Sequence, residues 1–539
     1  MRPRARRLQL GPGFGPLTSA VPKAGSGLQE SSGPATDFQQ IGSATDPPET
    51  PTLVVAGAGF SGATSTPADQ GNTANRYGTR VPIARWADPQ YQDCSGTKYF
   101  CLLADHGSGI QKVSFVLDNG AATDVVSPMT YDGINGYWIG IDTSALADDE
   151  SRELRAIVYP VDGPCLVMQG NTWTASGVGE TNEGVMSMWF ATNNGGTLYS
   201  ASLYVDPVSG NDTTGDGSSG LPYLTTMKAL RQHKVNKNAA GKGNNAGGGV
   251  ILMKAGSFAL GTYAFPEVET PDRYVVIKPA PDVTQAQCIL TSSGNSSGLR
   301  TQRVKLEGLT ITPSSTAAPI QSASNPLSQL SHFWLDNCVM DWVSPATAGT
   351  AWFSGPRHLA LTDCAIRNTV NAVTNPYVKL VRDTLVENLS GDAFSDVGCV
   401  VNCEVGNIYV SGATHPDVYQ LQQTNNANKF LYGIVATSAI DAQGIFQGGG
   451  FTVNGMAIWN CNIVRAVATT WLNFSFGGTL THVLIRNTTG SDNSTTVPTS
   501  NADSLVKNCV NASNGGVLLM AGDTGTLPFT GTHGFRYEA

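Results

Sequence analysis

From residue 306 onward, apolar and polar positions alternate in short phrases that keep returning to one register. They read Leu306-Glu307-Gly308-Leu309, Leu335-Asp336-Asn337-Cys338, Leu361-Thr362-Asp363-Cys364, Leu380-Val381-Arg382-Asp383 and Val400-Val401-Asn402-Cys403. Leu431-Tyr432-Gly433-Ile434, Ile458-Trp459-Asn460-Cys461, Leu484-Ile485-Arg486-Asn487 and Val506-Lys507-Asn508-Cys509 complete the series. Successive phrases lie 19 to 31 residues apart, with a mean of 25. Alternation with period two is the mark of a strand, whose neighbouring side chains point to opposite faces. A repeat in the twenties with drifting length predicts a solenoid of stacked β-coils, each burying its apolar face on the next.

Earlier strands are separated by turns. Lys112-Val113-Ser114-Phe115-Val116-Leu117 stops at Asp118-Asn119-Gly120. Tyr137-Trp138-Ile139-Gly140-Ile141 follows, and Leu154-Arg155-Ala156-Ile157-Val158-Tyr159 ends at Pro160. This spacing predicts a small β-sandwich over residues 77–203, and the run resembles immunoglobulin-like or fibronectin-like modules of bacterial and phage surface proteins.

Next come Tyr204-Val205-Asp206-Pro207, the turns Gly210-Asn211-Asp212 and Gly215-Asp216-Gly217, and Thr225-Thr226-Met227-Lys228-Ala229-Leu230. The segment resembles the opening of right-handed parallel β-helices of the pectate-lyase-like superfamily. A short helix with Leu224, Met227 and Leu230 on one face would cover the first coil's open edge. The expected fold is therefore all-β: a right-handed parallel β-helix solenoid over 204–515, preceded by the sandwich. Residues 1–76 form an extended low-complexity segment for anchoring, and 516–539 a cap or tail. Within the first segment, Thr52-Leu53-Val54-Val55-Ala56 is the candidate for a strand added to a partner's sheet.

Composition narrows the function. Charged residues are 14% of the chain and the net charge is −9, with no basic cluster beyond the extreme N-terminus, which argues against nucleic acid. No apolar run is long enough to span a membrane. Met1-Arg2-Pro3-Arg4-Ala5-Arg6-Arg7 lacks an apolar stretch behind it, so Sec export is not expected. Among ten cysteines, Cys338, Cys364, Cys403, Cys461 and Cys509 share one register slot and are expected as a buried column. Only Cys94 and Cys101 are placed for a bridge, which a cytoplasmic origin disfavours. No cofactor or metal is implied; the Asp206–Gly217 loop reads as turns, because calcium-ligand spacing is absent.

Chemistry is sought around the longest coil. Counting from the register phrases puts Asp396, His415 and Asp417 on one face of adjacent coils, with Asp392 and Gln443 near. Two carboxylates and an imidazole there could cleave a glycosidic bond. Alternatively His415, Lys379 or Arg382 could abstract a proton beside a uronate carboxyl. Gly391-Asp392, Ser395-Asp396 and His415-Pro416-Asp417 are equally good turn chemistry. For glycan stacking, Trp334 and Trp459 point outward by the alternation, with Tyr419 and Gln443 beside the acids.

The resemblance implies a virion spike or fibre protein that attaches to host-surface polysaccharide. Its partners would be other virion proteins, reached through residues 1–76, and two further copies in a homotrimer. A polysaccharide lyase or hydrolase of the same fold, extracellular or at the cell surface, is the alternative, and a ligand-free spacer is a third reading.

Overall fold

The computed structural model describes residues 52–54 and then 80–539 with the following exceptions. These are 119, 149–150, 169–185, 195–201, 240–247, 260–262, 265–273, 292–298, 301–303, 313–319, 322–332, 343–352, 355–358, 375–377, 410–415, 423–424, 441–442, 448–451, 465–471, 474–479, 492–502, 521, 524–526 and 532–533.

The chain is all-β, and its larger part is a parallel β-helix. One fourteen-stranded sheet runs from Ser202–Val205 to Arg536–Glu538, and an eleven-stranded sheet runs beside it from Gly256–Phe258 to Val510–Asn511. A five-stranded third sheet covers the middle coils. Every rung of the long sheet pairs parallel with the next until Phe529–Thr530, which lies antiparallel on Arg536–Glu538 and closes the last edge. The C-terminal residues thus supply the last rung as well as its cover.

The repeated phrase marks the corner between the first two sheets. Gly308, Asn337, Asp363, Asp383, Asn402, Gly433, Asn460, Asn487 and Asn508 all have φ between 49° and 67°. Glycine, asparagine and aspartate are the residues that adopt this left-handed backbone at least cost. Two phrases slip by one residue: Arg382 pairs with Thr362 and Arg486 with Trp459, so Thr384 and Thr488, not Asp383 and Asn487, fill the fourth position. The five cysteines do stack in one file within the core. Each thiol points at the carbonyl two residues before it, from 3.1 Å at Cys509 to 3.5 Å at Cys338. Thr384 and Thr488 make the same contact through Oγ1 at 3.0 Å. Seven of the nine corners thus hold a small group that donates to its own corner, while Leu309 and Ile434, after Gly308 and Gly433, fill the slot with aliphatic side chains. All ten cysteines, Cys94 and Cys101 included, are buried free thiols. We expect Asn460→Gly to leave stability nearly unchanged and Asn460→Val to cost about 1–2 kcal/mol, read by chemical denaturation.

The helix Thr226–Ala239 seals the N-terminal end. Thr225 Oγ1 accepts from Lys228 N at 3.2 Å, an N-cap bond. Leu230 is buried and Met227 packs on the core, whereas Leu224 is exposed, because the helix begins after it.

Ahead of the solenoid, two packed sheets enclose a separate core around Phe100, Phe115, Leu154 and Phe190. Thr52–Val54 pairs parallel with Ile139–Ile141 of the same chain, so this strand completes its own sheet edge and not a partner's.

The sheet containing Ile83–Trp86, Thr97–Asp105 and Ile134–Asp142 is apolar on both faces. Phe100 and Leu102 face the sandwich core, while Cys101, Leu103 and Trp138 pack on the β-helix. The opposing surface is an outward column of the long sheet: Ala360, Leu380, Cys399, Phe430, Ala457, Leu484 and Leu505. One rung earlier in that column Trp334 still packs on the edge of this surface, and the rung before it carries the charged Lys305. Ion pairs flank the seam. Arg382 binds Asp88 at 3.2 Å and Asp132 at 2.9 Å, and Arg486 binds Asp105 at 2.9 Å.

Candidate functional site

The third sheet carries the acids. Its register pairs Val373 with Phe394, Phe394 with Tyr419 and Asp417 with Gln443. Asn371, Asp392, Asp417 and Gln443 therefore stand on successive rungs of one column. Asp392 N donates to Asn371 Oδ1 at 2.8 Å, and Asp417 N donates to Asp392 Oδ1 at 3.1 Å. Asp396 lies elsewhere, at the level of Leu421, with φ 57°. Its Oδ1 accepts from Gln422 N at 2.9 Å and its carbonyl from Lys429 Nζ at 2.6 Å. The structure thus brings Asp392, not Asp396, beside Asp417. The extra residues of the 31-residue coil fall before Asp417, so counting from the corner misaligns it. His415 lies outside the described residues.

All three carboxylates are buried, Asp392 to 9% exposure, Asp396 to 1% and Asp417 to 0%. Burial pushes the Asp392 carboxyl up to about 7; the amide of Asp417 opposes the shift and the charge of Asp396 adds to it. A carboxyl that stays protonated near neutrality is the requirement for a general acid. Arg382 is spoken for by Asp88, Asp132 and Asp383, which removes it as an aid to proton abstraction. Among the described residues no cluster of His, Cys, Asp and Glu is arranged to hold a metal ion. In the first loop, Asp206 accepts from Val208 N, Ser209 N and Ser209 Oγ, and Asp212 from Leu224 N, Thr225 N and Thr225 Oγ1. Those carboxylates serve turns.

The aromatic candidates divide. Trp459 points outward, as the alternation requires, yet the sandwich covers it to 4% exposure and its Nε1 donates to Asp105 at 2.7 Å. Trp334 is half-buried, with Lys305 Nζ 3.9 Å from its ring centroid and Nε1 donating to Thr362 Oγ1 at 2.8 Å. Tyr419 is internal, its hydroxyl donating to the carbonyl of Val397 at 2.5 Å. Gln443 is half-buried. Of the four, only Gln443 stands in the acid column, on the rung after Asp417.

A second left-handed column was not anticipated. Asn368, Asn388 and Asn407 have φ of 54°, 59° and 53° and end successive strands of the eleven-stranded sheet. Asn407 Nδ2 donates to Asn388 Oδ1 at 3.2 Å, and Asn368 Nδ2 to Asp341 Oδ1 at 2.8 Å. Arg367 pairs with Glu387 at 2.7 Å on the preceding outward position. Tyr409, 40% exposed, follows directly after Ile408. The signal in the sequence was an Asn before an inward apolar or Thr position at Asn368-Thr369, Asn388-Leu389 and Asn407-Ile408. The amides are about 4.8 Å apart per rung and lie on a face of the helix away from the sandwich seam.

No protein-family model matches the chain, and no curated protein matches it. A solved structure, the catalytic domain of a GH87 alpha-1,3-glucanase in complex with nigerose, aligns at 11% identity over 80% of this chain and 86% of that one, with a TM-score of 0.23. A score this low carries no correspondence of residues or of activity.

Proposed function

We propose that the protein is a spike- or fibre-type structural protein that attaches to host-surface polysaccharide through the outer face of its β-helix. The observation that carries this reading is the amide column Asn368, Asn388 and Asn407 beside exposed Tyr409. Planar amides repeated at rung spacing supply donors and acceptors for sugar hydroxyls, and a tyrosine ring supplies an apolar face for a pyranose. The seam between sandwich and solenoid suits a load-bearing rod, because burial on both sides of one sheet leaves no hinge between them. In this proposal residues 1–76 attach to other virion proteins and the rod works as a homotrimer. Affinity electrophoresis in capsular polysaccharide tests it: Tyr409→Ala should weaken retention about tenfold, roughly 1.4 kcal/mol, with thermal stability unchanged. Retention equal to wild type across a capsule panel would remove the amide column from the reading.

Asp392 favours a second reading, a depolymerase of the same fold. Its carboxyl is protonated at mildly acidic pH, as a glycosidase acid must be. New reducing ends or unsaturated uronates released from capsule, and lost in Asp392→Asn, would establish it. The same variant has a stability signature. A folded-state pKa above the unfolded 3.8 adds stability below about pH 4 and loses it as pH rises to about 7. Asp392→Asn should therefore match wild type near pH 4 and exceed it by roughly 2–4 kcal/mol at pH 8, measured by urea denaturation.

A further inference from the structure

The seam between sandwich and solenoid holds two histidines facing each other across it. His106 follows the strand Thr97–Asp105 and is fully buried; His482 lies in Leu480–Arg486 of the long sheet and is 2% exposed. Their ring centroids are 5.2 Å apart, edge to face. His106 Nδ1 meets Ser108 Oγ at 2.8 Å and Nε2 meets the carbonyl of Arg80 at 3.0 Å. His482 N donates to Asp503 Oδ1 at 3.1 Å, and Asp503 also pairs with Arg80. Arg486 Nη2 donates to the carbonyl of His106 at 3.1 Å while its Nε binds Asp105.

The charged and titratable groups around the pair are known from each packed element. The segment before Ile83 brings Arg80, the end of Thr97–Asp105 brings Asp105, and the turn after Pro160 brings Asp162. Ile134–Asp142 contributes Tyr137, Leu480–Arg486 contributes Arg486, and the approach to Leu505–Lys507 contributes Asp503. Asp105 and Asp503 are each already bound to an arginine, and the pull of Asp105 and Asp162 on His106 is outweighed by its burial. Two imidazolium rings at this separation would also repel each other.

We propose that this pair makes the docking of the sandwich onto the β-helix acid-sensitive, so that mild acid releases the sandwich and uncovers the apolar column from Ala360 to Leu505. Burial holds both imidazoles neutral: His482 well below the usual 6.5, with His106 adding, and His106 below it despite the Arg80 carbonyl. A histidine depressed in the docked state contributes fully above pH 6.5 and is lost as pH falls below it. Each histidine then weakens docking by up to about tenfold per pH unit, from 6.5 down to its own docked-state pKa.

Small-angle scattering and tryptophan fluorescence of the full chain from pH 8 to 4.5 test the proposal, because Trp138 and Trp459 lie in the seam. Wild type should lengthen and its seam tryptophans become more solvent-exposed between pH 6.5 and 5, with the β circular dichroism signal retained. His106→Asn with His482→Asn, asparagine suiting the φ of 52° at His482, should move that transition down by at least one pH unit. A wild-type chain that stays docked to pH 4.5, or a double variant with the wild-type midpoint, overturns it. If the double variant misfolds, hydrogen exchange of wild-type seam amides decides: protection unchanged from pH 7.5 to 5, after correction for intrinsic exchange, overturns it equally.

Discussion

Asp105→Ala is expected to detach the sandwich from the β-helix while each keeps its own core. The carboxylate is 3% exposed and accepts from Arg486 Nε at 2.9 Å and from Trp459 Nε1 at 2.7 Å. Its removal strands a buried guanidinium and a buried indole N–H, and breaking such a pair costs about 3–5 kcal/mol, of which most is the orphaned charge. The enclosed cores around Phe115 and around Leu361 share no members, so the loss falls on the seam. Differential scanning calorimetry should show one transition in wild type and two in the variant, and limited proteolysis should separate the pieces. Pairing Asp105→Leu with Arg486→Met should recover most of the loss, because it removes both charges together. A single transition at the wild-type temperature in Asp105→Ala would show that apolar contact alone holds the seam.

The second large effect separates two neighbours in sequence. Phe430 and Leu431 are both fully buried, but on opposite sides of one strand. Phe430 lies in the seam with its ring 5.2 Å from Trp459, and Leu431 lies inside the coil. Phe430→Ala and Leu431→Ala should each cost about 3–5 kcal/mol. The first should loosen the sandwich and leave the β-helix transition in place, whereas the second should lower the β-helix transition itself. Hydrogen exchange resolved by strand reads the difference, and identical exchange patterns would refute a seam distinct from the coil core.

Much of this was legible in the residues. Alternation, the repeat length and the recurring cysteine slot were enough to read the solenoid and its cysteine file from nine short phrases, whereas the left-handed corners at Asn337 and Asn460 emerged only with the backbone. The two slips, at Asp383 and Asn487, arose because threonine replaces cysteine in the fourth slot and hides the pattern. The seam was harder to foresee. Phe100-Cys101-Leu102-Leu103-Ala104 is an unbroken apolar run, the mark of a strand buried on both faces, but the outward apolar positions Leu380 and Leu484 only make sense once a partner surface is known. The acid site was misassembled for a reason of geometry. Register propagates through hydrogen-bonded rungs, while loop length between them is free, so an offset counted across the longest coil loses its meaning.

That freedom has a consequence for how such a chain can change. Each turn of the spiral is pinned at one small set of corner residues, whereas the opposite connections already vary from coil to coil. Removing or duplicating the coil from Pro279 to Glu307, which lies ahead of the covered column, should shift the first rungs by a single rise and leave the later rungs in phase. The rod's length is therefore open to adjustment in whole steps outside the span where the sandwich sits, and fixed within it.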